Sequence, residues 1–325
     1  MDHITPYLAA LIVLLLAAGA ACAQTVWPNL ASYAFSLSTD PATRYQASLA
    51  LSGPAGENLG AKLEGWWTGG GGDHEAFVGD AYLDYDKGRL YLAAGRKYVT
   101  FRRPEIPVGA LVSSGILGAE VQVRAGRVTF QGIAGSLAFM PGTSATGFGF
   151  AGTPSGVCPS GVCVSRGPTL PAAGRRSSQP LDEDILALRA TGQLTEPGAV
   201  TQVGLGVSWV DVADETGASI DATIGVTKWL TLFGEAARCG GNARVHGIRL
   251  SDTDLRTDGN GTIVVWYHRD IDDGFVPAAV GATSFFEGQR GWVGGLYHQI
   301  SPHRSIGMSA DGEEVVLTLF GNHPL

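Results

Sequence analysis

The sequence predicts an all-β chain whose strands, about sixteen of them, close into a transmembrane antiparallel barrel. Three observations lead there. Apolar and polar residues alternate with period two in segment after segment, the connections between segments are by turns tight and long, and beyond the N-terminus no apolar run is long enough to cross a bilayer as a helix.

At the N-terminus, Leu8 to Ala18 is an unbroken apolar run of eleven residues, followed by small residues and Ala21-Cys22-Ala23, a fit to the small-x-small rule for signal peptidase. Residues 1–23 therefore read as a signal peptide cleaved after Ala23, with Gln24 as the mature N-terminus. The segment ahead of the run has no Lys or Arg, only His3. A lipoprotein signal with Cys22 as acceptor is the rival, but its pattern wants a branched apolar residue where Gly19 stands. A retained anchor would need ~20 apolar residues.

The remaining chain, 24–325, reads as one barrel. In Ala218-Ser219-Ile220-Asp221-Ala222-Thr223-Ile224-Gly225-Val226 every even position is apolar and the odd ones are Ser, Asp, Thr and Gly. Ile220 and Ile224 should then meet lipid while Asp221 and Thr223 face the lumen. The same rule sets Ala119, Val121 and Val123 against Glu120, Gln122 and Arg124, and Ala81, Leu83 and Tyr85 against Asp80, Tyr82 and Asp84. It also sets Tyr45, Ala47, Leu49 and Leu51 against Gln46 and Ser48. Glycine, 47 of 325 residues, recurs too often for helix interiors, and no stripe of helical period is sustained.

The expected strands are 31–38, 45–52, 59–68, 76–86, 88–97, 115–125, 127–139, 183–193, 199–210, 217–226, 228–238, 243–250, 261–270, 290–300, 303–310 and 313–320. Tight turns at 86–88, 125–126, 227–228 and 301–303 all follow even-numbered strands. Long polar segments, 102–114, 140–182 and 271–288, follow odd-numbered ones. Short periplasmic turns and longer extracellular loops, with loop 140–182 the longest, are what an outer-membrane barrel requires. The turn at 310–312 is short for an extracellular connection, and 251–260 is long for a periplasmic one.

Charged residues are only 16% of the chain against ~25% in soluble proteins, as suits an outer face in contact with lipid. A secreted, glycine-rich β-sandwich is the soluble alternative, but its strands average ~5–6 residues. Net charge −8 excludes a strongly nucleic-acid-binding surface. Trp66, Trp67, Tyr98, Phe101, Trp209, Trp229, Phe233, Trp266, Tyr267, Trp292, Tyr297 and Phe320 lie near expected strand ends, where aromatic girdles form.

Inward polar positions on the strands give the pore-lining candidates Asp80, Asp84, Arg89, Lys97, Glu120, Arg124 and Asp221, with acids and bases on neighbouring strands able to pair. Glu64, Asp80 and Asp84 could alternatively serve glycoside hydrolysis, which uses two carboxylates. His246, His268, His298 and His303 could gather near one end if the barrel closes, where a metal or esterase site is conceivable; scattered strand and turn histidines are the plainer reading. No serine-hydrolase elbow, zinc-protease motif or phosphate loop occurs, so neither an enzyme nor a cofactor or metal is expected. Cys158 and Cys163 end a direct repeat, Pro154 to Cys158 and Pro159 to Cys163, and should form a disulfide in an oxidising compartment, leaving Cys239 a free thiol.

One stretch resembles a known class. Gly88-Arg89-Leu90-Tyr91-Leu92-Ala93-Ala94-Gly95-Arg96, a loop, Ser114 to Val121, then a tight turn and Val128-Thr129-Phe130-Gln131-Gly132 is similar to the order in bacterial porin-like outer-membrane barrels. There a strand ending in Gly-Arg leads into an inward-folding loop and then a hairpin. The turn at Ser301 to Ile306 and the strand Glu313 to Phe320 resemble the end of such barrels, which finish on an aromatic read by the barrel-assembly machinery; here Gly321-Asn322-His323-Pro324-Leu325 follows. The resemblance implies a Gram-negative outer-membrane channel for passive diffusion of small hydrophilic solutes, embedded in outer-membrane lipid, with homo-oligomerisation open. An occluded barrel serving as structure or receptor, and a secreted glycan-binding sandwich, are the alternatives.

Overall fold

A computed structural model describes residues 28–38, 44–70, 73–101, 106, 108–109, 111–138, 183–196, 201–212, 214–251, 261–272, 274–275, 290–301, 304–310 and 315–324. The expected signal peptide, the 140–182 loop with Cys158 and Cys163, and His303 lie outside them.

The first eight strands are β1 (Leu30–Ser38), β2 (Arg44–Gly56), β3 (Leu59–Gly70), β4 (Asp73–Lys87), β5 (Leu90–Thr100), β6 (Ser113–Ala125), β7 (Val128–Leu137) and β8 (Asp184–Gln193). The rest are β9 (Gln202–Val212), β10 (Glu215–Gly225), β11 (Leu230–Cys239), β12 (Gly241–Ser251), β13 (Gly261–Ile271), β14 (Arg290–Ser301), β15 (Arg304–Ala310) and β16 (Val315–Pro324). Each pairs antiparallel with its sequence neighbours, and β1 pairs with β16, from Leu30↔Pro324 to Ser38↔Val316, so the sheet is a closed barrel. Sixteen strands is the number the alternation predicts.

Closure lets the pleat sort the side chains. On β10, Ile220 is 56% exposed and Asp221 1%. Ile224 faces out while Thr223 and Ser219 are buried, as the period-two pattern requires. Leu186 and Leu188 on β8, Leu205 and Val207 on β9, and Leu317 and Leu319 on β16 continue the exposed apolar belt. On a soluble protein so large an apolar surface would associate; around a closed barrel it is the lipid-facing wall of a transmembrane fold.

The structure revises several local expectations. β2 continues through Gly53, Pro54 and Ala55, with a register shift against β3 between Pro54 and Gly56 that absorbs the proline's missing donor. β5 starts at Leu90, so Arg89 belongs to the exposed 88–89 turn and not to a strand wall. The terminal strand runs four residues past Phe320, because Gly321 to Pro324 still pair with β1. Among the expected girdle aromatics, Trp229, Trp266 and Trp292 face outward, but Trp66, Phe101, Phe233, Tyr267 and Tyr297 are buried inside. Strand parity decided this for the strand residues, and Phe101 follows the β5–β6 connection inward.

Ile220→Arg should destabilise the folded barrel by about 2–4 kcal/mol, the cost of a cation near mid-bilayer. Urea titration of protein folded into phospholipid vesicles measures it, and a shift no larger than that of Ser219→Ala would mean the outward face is misassigned.

Candidate functional site

The chemistry lies inside the barrel, and the β5–β6 connection shapes it. Phe101, Ile106, Val108, Leu111 and Val112 from this connection are buried in one apolar cluster with inward residues of the wall, among them Ile133, Ile185, Val210, Phe233, Val245 and Tyr267. The Gly109 N–H donates a 2.8 Å hydrogen bond to Oε2 of Glu235 on β11, five strands round the barrel from β6. The connection therefore crosses the interior, as the resemblance implied. Its anchor, a buried glutamate, was not among the sequence candidates.

A bulge organises the first polar group. Glu64 on β3 stands opposite two residues of β4, Gly79 and Asp80, where the register shifts between Leu63 and Gly65. Such an extra residue leaves ladder groups unpaired, and side chains supply their partners. Asp80 Oδ1 accepts from the Tyr98 N–H at 2.7 Å, and the Arg96 guanidinium donates to the Gly79 carbonyl at 3.1 Å. The Lys62 ammonium lies 2.7 Å from Asp80 Oδ2 and 3.2 Å from Glu64 Oε2. The carboxylates considered for hydrolysis are thus a lysine-bridged pair, while Asp84 lies two rows on, against Gly60.

The second group depends on missing side chains. Gly95, Gly118 and Gly135 form one cross-strand row on β5, β6 and β7. A Cβ on Gly118 would lie 2.2 Å from the Ala134 carbonyl oxygen, so the backbones approach too closely for any other residue. Lys97 and Glu120 flank this row on either side and reach across it to pair. The ammonium also donates to the Tyr91 hydroxyl at 2.7 Å and lies over the rings of Tyr91 and Tyr82. Gln122 and Gln131 donate to the other carboxylate oxygen of Glu120, at 2.5 and 2.8 Å.

The third group is Arg189 on β8 and Asp221 on β10, both buried, with Nη2 and Oδ2 2.6 Å apart. Nη1 donates to Ser208 at 2.6 Å, and the Phe101 ring of the inward connection covers the guanidinium. Gly206 on the intervening β9 leaves the space: a Cβ there would be 2.3 Å from Asp221 Oδ2. Lys62 and Arg189 were missed, although the outward Leu186 and Leu188 already imply an inward Arg189 by parity.

Of the other candidates, Arg124 is half-buried on β6, its N–H bonded to the Arg89 carbonyl at 2.8 Å. Cys239 is buried and free. Of the candidate histidines that are described, His246 and His268 adjoin on the outer face, and His298 pairs with Thr262 near the opposite end of the wall. No group of three or more metal-ligating side chains occurs among the described residues.

No family model matches the chain, and no curated protein does. Solved structures do. Pseudomonas putida OprB aligns over 91% of this chain and 94% of its own at 11% identity, with a TM-score of 0.52. A variant of the Rhodopseudomonas blastica porin aligns over 92% and 99% at 9% identity, with a TM-score of 0.51. The chain has the porin fold. At such identities the likeness reaches the architecture of the porin barrel and not its solutes.

Arg189→Met leaves the Asp221 carboxylate buried without its cation, and should cost roughly 3–5 kcal/mol of barrel stability. Adding Asp221→Leu should restore most of the loss. Urea titrations of both variants in vesicles test the pair; a double variant no more stable than the single one would contradict it.

Proposed function

We propose that this protein is an outer-membrane channel of narrow bore for passive diffusion of small hydrophilic solutes. The observation that carries the reading is the Gly109–Glu235 hydrogen bond, which holds an inward connection across the interior of a porin-fold barrel. A connection held there narrows the lumen without closing the wall. Ion pairs stand on the wall strands, Lys62 with Asp80, Lys97 with Glu120, and Arg189 with Asp221, and the last lies against Phe101 of the connection. On this reading the chain is exported through its N-terminal signal, cleaved after Ala23, and folded by barrel-assembly machinery. The end bearing the termini faces the periplasm, and Asp80, Asp84, Lys97, Glu120, Arg124 and Asp221 belong to the lumen wall. Because acids and bases are paired across that wall, little net field remains, and a weak cation preference should fade as salt screens it.

A second reading, an occluded barrel with a structural or receptor role, is favoured by the apolar cluster that the connection forms with β6–β9 and β11–β14. Conductance separates the two. The refolded protein in a planar bilayer should give small, steady steps, and Glu235→Ala, which removes the acceptor for the Gly109 N–H, should give larger or flickering ones. Silence from both, with heat-modifiable gel migration verifying the folded barrel, would overturn the channel in favour of occlusion.

A further inference from the structure

On the outer face of β12, β13 and β14, one cross-strand row reads His246, His268, Trp292. The two histidines are direct partners in the β12–β13 ladder, and their ring centroids lie 5.4 Å apart. Trp292 stands edge-on to both rings, 5.2 Å from His268 and 6.4 Å from His246. Trp266, in the next row toward the chain termini, stacks on Trp292 at 5.8 Å. The row on the other side is charged. Arg244, Asp270 and Arg290 share it, with Arg290 Nε 2.8 Å from Asp270 Oδ1. The imidazoles thus sit at the border between a charged rim and the apolar belt, His246 exposed and His268 half-buried.

Lipid-interface preference accounts for the two tryptophans. It gives no reason for two imidazoles side by side. With metal–imidazole bonds of about 2.1 Å, two rings sharing one ion have centroids about 5 Å apart, close to the 5.4 Å spacing of this pair. Trp292 braces both rings, which reduces the rotamer freedom lost on binding. Asp270 is engaged by Arg290 and is not counted among the donors.

We propose that His246 and His268 form a two-imidazole site for a divalent late first-row transition cation, with water completing the coordination. Imidazole suits Cu2+, Ni2+ and Zn2+, and Cu2+ should bind most tightly. The ion would clamp β12 to β13 at the end where the long 272–289 connection leaves. Because it binds only the folded wall, it should also raise resistance to unfolding.

The test uses the untagged, refolded chain in detergent, with CuCl2 titrated while tryptophan emission is followed, since Trp292 touches both rings. Saturable quenching at one ion per chain, reversed by a chelator, is the expected result. His246→Gln and His268→Gln should each weaken binding by about 10²-fold or more, because either change removes the intramolecular second bond. His298→Gln should leave it unchanged. The outward imidazoles are not part of the interior packing, and heat-modifiable migration verifies that each variant is folded. In the wild type, saturating Cu2+ should raise the temperature at which the folded band is lost, and in the two site variants it should not. A titration in either site variant that matches the wild type, or equilibrium dialysis that finds no bound copper at the concentration saturating the quenching, overturns the site.

Discussion

A peptide group facing hydrocarbon has no water to bond, so each N–H and C=O in the wall must find its partner within the wall itself. That constraint makes the β1–β16 pairing the contact on which the rest depends. Without it, two unpaired strand edges would lie in lipid, each open group costing several kcal/mol. Where the ladder is interrupted the same rule still operates. At the Gly79–Asp80 bulge, the Arg96 side chain and the Asp80 carboxylate take the places of missing backbone partners. Asp80 therefore holds the wall together and presents charge to the interior, two roles that one carboxylate can fill because its two oxygens point to different partners.

Closure also creates an interior, and the interior must be made to accept charge. Lys97 and Glu120 meet only because the glycine row between them carries no side chains, and Arg189 and Asp221 meet only because Gly206 stands between them. Buried ion pairs of this kind contribute little net stability relative to apolar replacements. Their effect here is on register. A one-residue slip of β10 would carry Asp221 to lipid and Ile220 inside, so the Arg189 pair penalises the wrong alignment far more than it rewards the right one. The inward connection uses both kinds of interaction: its apolar residues join the buried cluster, and the Gly109 N–H bond to Glu235 ties it to β11.

The same pleat that turns Asp221 inward turns His246, His268 and Trp292 outward, so the outer wall carries its own graded chemistry. Passing from the rim, it goes from charged side chains to imidazole, then to indole, then to the aliphatic belt of Leu250, Val264 and Leu296. Side chains that would be scattered in sequence become a contiguous surface because neighbouring antiparallel strands place them in one row.

By itself, the sequence determined the strands, their number and their faces. Alternation is a local property of the chain, so Ala218 to Val226 reveals which residues of β10 face lipid without knowledge of any partner. Tight turns and long loops alternate along the chain for the same reason that strands reverse. The boundaries at Gly53–Gly56 and beyond Phe320 were less legible, since glycine and proline there look like turn residues until the neighbouring strand is seen to pair with them. Only the tertiary structure decided which side chains meet. Arg189 and Asp221 are 32 residues apart, and Gly109 and Glu235 are 126 apart. Their meeting depends on the register of every intervening strand and on where a connection folds, and no periodicity within a single segment carries that information.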